Sequence, residues 1–148
     1  MATTPNSVVL AQVPNIVSVD LTAATACTTR APTVTASLAA ANILPFVPVS
    51  ANGQRIDAVS LKGASSSISA ATAVQTVTIW EWDGTKAWPI KEIVTTLVTP
   101  STTVASYESG LIPLGIVLPA THALYISTSI TTTAATTALV ATAYGALL

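Results

Sequence analysis

The sequence predicts an all-β chain, an antiparallel β-sandwich or jelly roll with an extended amino-terminal arm. Three observations lead there. Thr is roughly one residue in six and is accompanied by many Val and Ile, and β-branched side chains suit a pleated surface while losing rotamer freedom in helices. Short apolar runs recur at regular spacing, bounded by Pro and Gly. Asp83-Gly84-Thr85 separates two strand-like runs in the manner of a hairpin turn.

The elements follow in order. Residues 1–32 read as an extended arm with first strands, and residues 33–148 as the sandwich domain. Pro5, Pro14, Pro32, Pro45 and Pro48 hold themselves and their preceding residues in extended or turn conformations. Strands are expected at Ser7 to Val13, Ile16 to Thr22 and Pro32 to Ala36, and the Ala-rich Ser37 to Asn42 leaves room for one short helical turn. Asn52-Gly53 is a tight-turn dipeptide leading into a strand from Arg55 to Lys62. Strict alternation there puts Asp57, Val59 and Leu61 on one face, with Ile56, Ala58, Ser60 and Lys62 on the other. Gly63 to Ser69 reads as a small-residue loop. Val74 to Val94 forms the hairpin, with Trp80 and Trp82 on one face and Val77, Ile79 and Glu81 on the other. Further strands are expected at Thr102 to Tyr107, Leu111 to Leu118, Ala123 to Ile130 and Thr136 to Tyr144.

Composition bounds the function. The 148 residues include 51% hydrophobic, enough for one core. Only 7% are charged and the formal charge is −1, where an ordinary soluble domain carries roughly a quarter charged residues. Such a surface favours association, so much of it is expected to be buried against other subunits. Arg30, Arg55, Lys62, Lys86 and Lys91 are scattered, with no basic face for nucleic acid. The uncharged stretch from Ser109 to Leu148 is broken by Pro113, Pro119 and Thr/Ser clusters, so no membrane span is expected. Met1 to Pro14 lacks a positive n-region, and an unprocessed, non-secreted chain is expected.

Catalytic sets are hard to assemble. His122 is the lone histidine and Cys27 the lone cysteine. Cys27, His122 and one of Asp20, Asp57 or Asp83 have the chemistry of a nucleophilic triad but no supporting spacing. A solvated or interface histidine and a small buried cysteine are the simpler readings. Glu81 and Glu92 resemble paired carboxylates, but a cross-strand charge pair of Glu81 with Lys86 or Lys91 is preferred. No cofactor, metal or phosphate motif is present. The chain is expected not to be an enzyme. Trp80, Trp82 and Trp88 are the candidate site residues, either as core or subunit interface, or as a platform for ligand stacking.

Asn52-Gly53-Gln54-Arg55-Ile56-Asp57, Val59-Ser60-Leu61-Lys62-Gly63, Trp80-Glu81-Trp82-Asp83-Gly84-Thr85 and Lys91-Glu92-Ile93 occur in this order. They are followed by Thr99 to Glu108, Leu118-Pro119-Ala120 and Leu124-Tyr125-Ile126-Ser127-Thr128. In that order the segments resemble a family of small virion proteins of tailed bacteriophages, from about Asn52 to the end. The resemblance implies a capsid decoration (cement) protein of sandwich or jelly-roll type, placed on the capsid surface after synthesis in the host cytoplasm. Its implied partner is the major capsid protein. The Pro-punctuated amino-terminal third and the Trp-rich hairpin depart from the family's pattern. A homotrimer fits three-fold axes of an icosahedral shell, with the arm from Met1 to Pro32 lying on a neighbour. A tail, neck or baseplate component and a carbohydrate-binding adhesin module are the rival readings.

Overall fold

The computed structural model describes residues 13–66, 69–135 and 137–148. Nine strands run in chain order: β1 (Val13–Asp20), β2 (Thr33–Val34), β3 (Leu44–Val47), β4 (Gln54–Gly63), β5 (Thr76–Trp82), β6 (Lys86–Val94), β7 (Ile112–Leu118), β8 (Ala123–Thr128) and β9 (Leu139–Leu147). A first sheet has the order β1-β9-β4-β7 and a second the order β2-β6-β5-β8-β3, with every pairing antiparallel. The chain is an all-β sandwich, as its composition predicts. Setting aside the two-residue β2, the partners β1/β9, β3/β8, β4/β7 and β5/β6 form one antiparallel ribbon wound into two sheets, the winding of a jelly roll.

The main core lies between the sheets. Ile56, Val59, Leu61, Leu118, Leu139 and Ala141 face Phe46, Val77, Ile79, Ile93, Leu124 and Ile126, with Leu21 and Tyr107 closing it from the loops. A second, smaller core lies on the outside of the second sheet. There Leu38, Ala41 and Ile43 cover Trp80 and Ala87, with Cys27, Trp82 and Tyr125 at its margin. The winding puts the long connections (residues 21–43, 64–75, 95–111 and 129–138) at one end and the short ones (48–53, 83–85 and 119–122) at the other. Backbone bonds lace the long connections together, including Ala64 N to Ala138 O at 3.0 Å, Thr72 N to Val98 O at 2.9 Å and Thr132 N to Ala24 O at 2.8 Å. Buried threonines add to this lacing: Thr95 Oγ1 donates to Ala73 O (2.7 Å), and Thr132 Oγ1 accepts from Ala24 N (2.9 Å) and donates to Leu21 O. Thr therefore satisfies loop backbone as well as fitting strands.

Several elements differ from the alternation of the sequence. In β4 the pairing with β9 skips Asp57, so Ile56 turns to the same side as Val59 and Leu61 and all three are buried. A bulge inserts one residue and reverses which face the following side chains take. The run Thr102 to Tyr107 is a loop, not a strand, because Ser101 Oγ accepts the N–H groups of Thr103 (3.2 Å) and Val104 (3.1 Å), a local turn that competes with sheet pairing. Pro32 to Ala36 shortens to β2 followed by a 3-10 turn at Thr35–Ser37, and the turns continue to Asn42 through the segment whose Ala content left room for a helical turn. β3 has no counterpart in the sequence reading, since Pro45 and Pro48 hid it. β1 lies near the expected strand at Ile16 to Thr22 and pairs with β9 along its whole length, with Val17 and Val19 packed on the core. Of the segment expected to lie on a neighbour, the described residues 13–32 therefore pack on their own chain. The expected strand at Ser7 to Val13 lies, apart from Val13, outside the described residues.

Candidate interaction surfaces

The hairpin forms as predicted, with Gly84 at φ 98° in its turn. Its three tryptophans have separate fates. Trp80 is fully buried and donates its indole N–H to Ser127 Oγ at 2.9 Å. Trp82 is half-buried, donates to Thr35 Oγ1 at 2.9 Å and packs against Tyr125 with ring centroids 6.1 Å apart. Both are covered because the segment after β1 folds over this face. Trp88 is 44% exposed. Its indole N–H donates to Asp83 Oδ2 at 2.8 Å, and Lys86 Nζ lies 6.0 Å from the ring centroid. Asp83 is committed to the turn: its Oδ1 accepts from Thr85 N, Thr85 Oγ1 and Lys86 N at 2.7–2.8 Å. The Lys86 N–H, the Trp88 indole and the two Thr85 donors hold its carboxyl well below the usual carboxylate range.

Glu81 does not pair with Lys86 or Lys91. It lies opposite Trp88, while Lys91 lies opposite Ile79, and its Oε1 is 2.8 Å from His122 Nδ1. His122 arrives there because the short connection before β8 ends beside Trp82, which pairs with Ala123. Glu92 lies opposite Thr78 and pairs with Arg30 at 3.3 Å, so Glu81 and Glu92 occupy opposite faces of the sheet. Cys27 sits at the far end of β8 from His122: its N–H bonds Thr128 O at 2.7 Å and its thiol bonds Thr29 O at 3.2 Å. Five residues of strand, about 16 Å, separate the two ends. The structure does not bring Cys27 and His122 together. Among the described residues no group of three or more His, Cys, Asp or Glu is placed to hold a metal ion. No helix among them is long and apolar enough to cross a membrane.

Prolines mark the sheet edges. Pro14 is in β1, Pro113 in β7, Pro45 in β3 and Pro89 in β6, whereas the inner strands β4, β5, β8 and β9 contain none. Beyond its two residues paired with β2, β6 is itself an edge. Proline lacks the N–H that a further strand would need, and the irregular registers of β3, β6 and β7 bend those edges away. Association through added strands is thus disfavoured, leaving side-chain surfaces.

Two such surfaces stand out. Along β6 the apolar side chains of Trp88, Ile90 and Val94 are exposed, as is Leu97 just beyond; the irregular register at Ile90 puts Trp88 on the face of Glu81 and Val94 on the face of Glu92. The outer face of the first sheet is the second, and nothing in the described chain covers it. Across its strands run the rows Ile16, Tyr144, Ala58, Pro113, then Ser18, Thr142, Ser60, then Asp20, Val140, Lys62, Glu108. Sequence reasoning singled out Trp88 but missed this face, because its small residues carry no motif and the rows exist only once the register is set. An open depression of about 410 Å³ between Asp20, Thr22, Asn42 and Leu44 has one carboxylate, already bonded to Thr22 N at 2.7 Å. Comparison with protein-family models, curated proteins and solved structures finds no match.

Proposed function

We propose that this chain is a structural virion protein of a tailed bacteriophage that decorates and stabilises the outside of the capsid by binding across joints between coat subunits. The observation that carries this reading is Trp88, 44% exposed on the proline-containing edge strand β6 of a jelly roll with 7% charged residues. A tryptophan exposed on a sheet edge and fixed by Asp83 supplies a rigid anchor for a protein partner. The major capsid protein is the proposed partner. Binding only to the assembled shell stabilises it by mass action, and many modest contacts per particle add through multivalency. Fold alone assigns no role, since jelly rolls serve unrelated functions.

Protein stoichiometry on purified particles of the source virus tests the reading. Copies in the hundreds support shell decoration. A dozen or fewer place the protein in the tail, neck or baseplate, and absence from particles rejects a virion role. One observation favours the adhesin reading as a second possibility: Trp88 is exposed beside Glu81 and His122, whereas the Trp80/Trp82 face is covered. Quenching of tryptophan fluorescence by host glycans, lost in Trp88→Ala, supports it, and no quenching rejects it.

A further inference from the structure

Two glycine turns lie at the short-connection end, Asn52-Gly53 and Asp83-Gly84, and the fold bonds their side chains differently. Asp83 is pinned, its two oxygens accepting from Thr85, Lys86 and Trp88 at 2.7–2.8 Å. Asn52 is exposed, and its carboxamide makes no hydrogen bond among the described residues. The residue after it is held to glycine: Gly53 has φ 84°, and a Cβ there would meet Leu118 O at 2.7 Å. Other asparagines are placed otherwise. Asn42 donates to Ala26 O at 2.8 Å and precedes Ile43, whose N–H is bonded to Leu38 O. Asn15 donates to Gln54 Oε1 at 3.2 Å and precedes Ile16 within β1. A β-branched successor crowds the approach to its nitrogen, whereas glycine leaves the nitrogen open. Asn6 lies outside the described residues.

We propose that Asn52-Gly53 is a site of spontaneous covalent modification. The Gly53 backbone nitrogen loses its proton and attacks Asn52 Cγ, closing a five-membered succinimide. The bond from Cγ to Nδ2 breaks, and Nδ2 takes up a proton and leaves as ammonia. Water then opens the ring: addition at Cγ gives aspartate, and addition at the main-chain carbonyl gives isoaspartate. One water enters, one ammonia leaves, and nothing is oxidised or reduced. The attacking nitrogen is otherwise occupied by a bond from Gly53 N–H to Ser50 O at 3.1 Å. That bond closes a single turn at an exposed loop tip, which opens locally without unfolding the sheets.

The product bears on the fold. Gln54 Nε2 donates to Pro48 O at 2.6 Å and Leu148 N to Gly53 O at 3.2 Å, tying down the loop around the turn. Isoaspartate adds a main-chain carbon inside that tie and strains the entry to β4. Either product adds a negative charge to a chain of formal charge −1, beside the connection through Pro119 and Ala120. The modification is independent of whether the protein decorates a capsid.

Incubation of the full, folded chain at mildly alkaline pH tests the proposal, read by tandem mass spectrometry against an unincubated control. The tryptic peptide Ala31–Arg55 carries both Asn42 and Asn52, so one spectrum compares them. Asn52 is expected to convert at least about tenfold faster than Asn42, with release of ammonia and formation of isoaspartate. Asn52→Ser is expected to abolish the isoaspartate. Conversion confined to chains unfolded in urea overturns the proposal, because the Ser50 bond then protects the folded turn. Equal conversion at Asn42, or isoaspartate at Asp83 forming as fast, overturns it by showing that the free carboxamide does not select the site. The aged chain is expected to melt about 2–4 °C below the fresh one, and Asn52→Ser to melt alike before and after incubation. Equal melting of a fully converted chain overturns the strain assigned to β4.

Discussion

Gly145 shows how one residue holds the first sheet together. It lies opposite Ile56, where Asp57 bulges out of β4, and a Cβ there would meet Arg55 O at 1.9 Å. Backbone cannot yield that far without breaking the ladder. Gly145→Ala is expected to destabilise by about 3 kcal/mol or more, read by urea denaturation; a loss below about 1 kcal/mol would show the bulge to be adaptable. Asp83 offers a test in pH. Its carboxyl, held low by the donors of Lys86, Trp88 and Thr85, has a folded pKa below the unfolded value of about 3.9. Its stabilising contribution is therefore complete above that value and is lost as pH falls through the lower, folded one. The emission of Trp88 is expected to hold steady from pH 7 to about 4 and to change only at more acid pH; a midpoint in the ordinary carboxylate range would show that the turn does not retain the charge. The turn itself was legible, since Asp-Gly-Thr between apolar runs permits few alternatives. The Glu81–His122 contact was not, because it joins residues 41 apart through a register no local rule sets.

Strands that alternate cleanly between turns were readable, and strands shaped by irregularity were not. β7 and β8 begin within one residue of their expected starts, while β9 (Leu139–Leu147) begins three residues beyond the expected Thr136. Ile56 went to the wrong face because a bulge is a tertiary event, fitted to the space that Gly145 leaves. Thr102 to Tyr107 has strand composition, yet Ser101 ties it into a turn. The prolines carry the converse lesson: in the sequence they read as signs of an extended arm and loops, and in the fold they mark edges. Pro113→Val restores an N–H to an edge strand. It is expected to leave the melting temperature nearly unchanged while raising aggregation at high concentration, followed by light scattering. Unchanged solubility would show that another feature protects this edge.

Across the molecule, the tryptophans divide stability from recognition. Trp80 fills the outer core under Leu38 and Ile43, so Trp80→Ala is expected to cost about 3–5 kcal/mol. Trp88→Ala is expected to change stability by less than about 1 kcal/mol while weakening binding to assembled coat protein by about tenfold or more. Thermal denaturation together with co-sedimentation on purified shells reads both. A Trp88→Ala variant that binds as the parent does would remove Trp88 from the interface.

By itself the sequence determined the class, the hairpin and the surface's want of charge, because these depend on local propensity, turn chemistry and composition. Which tryptophan is buried, which partner Glu81 takes, where the edges fall and that one sheet face lies open were decided only by the tertiary structure. Each depends on register and winding between segments far apart in the chain. Thr and Ala fit either side of a sheet, so long-range packing, not local pattern, chooses among the alternatives.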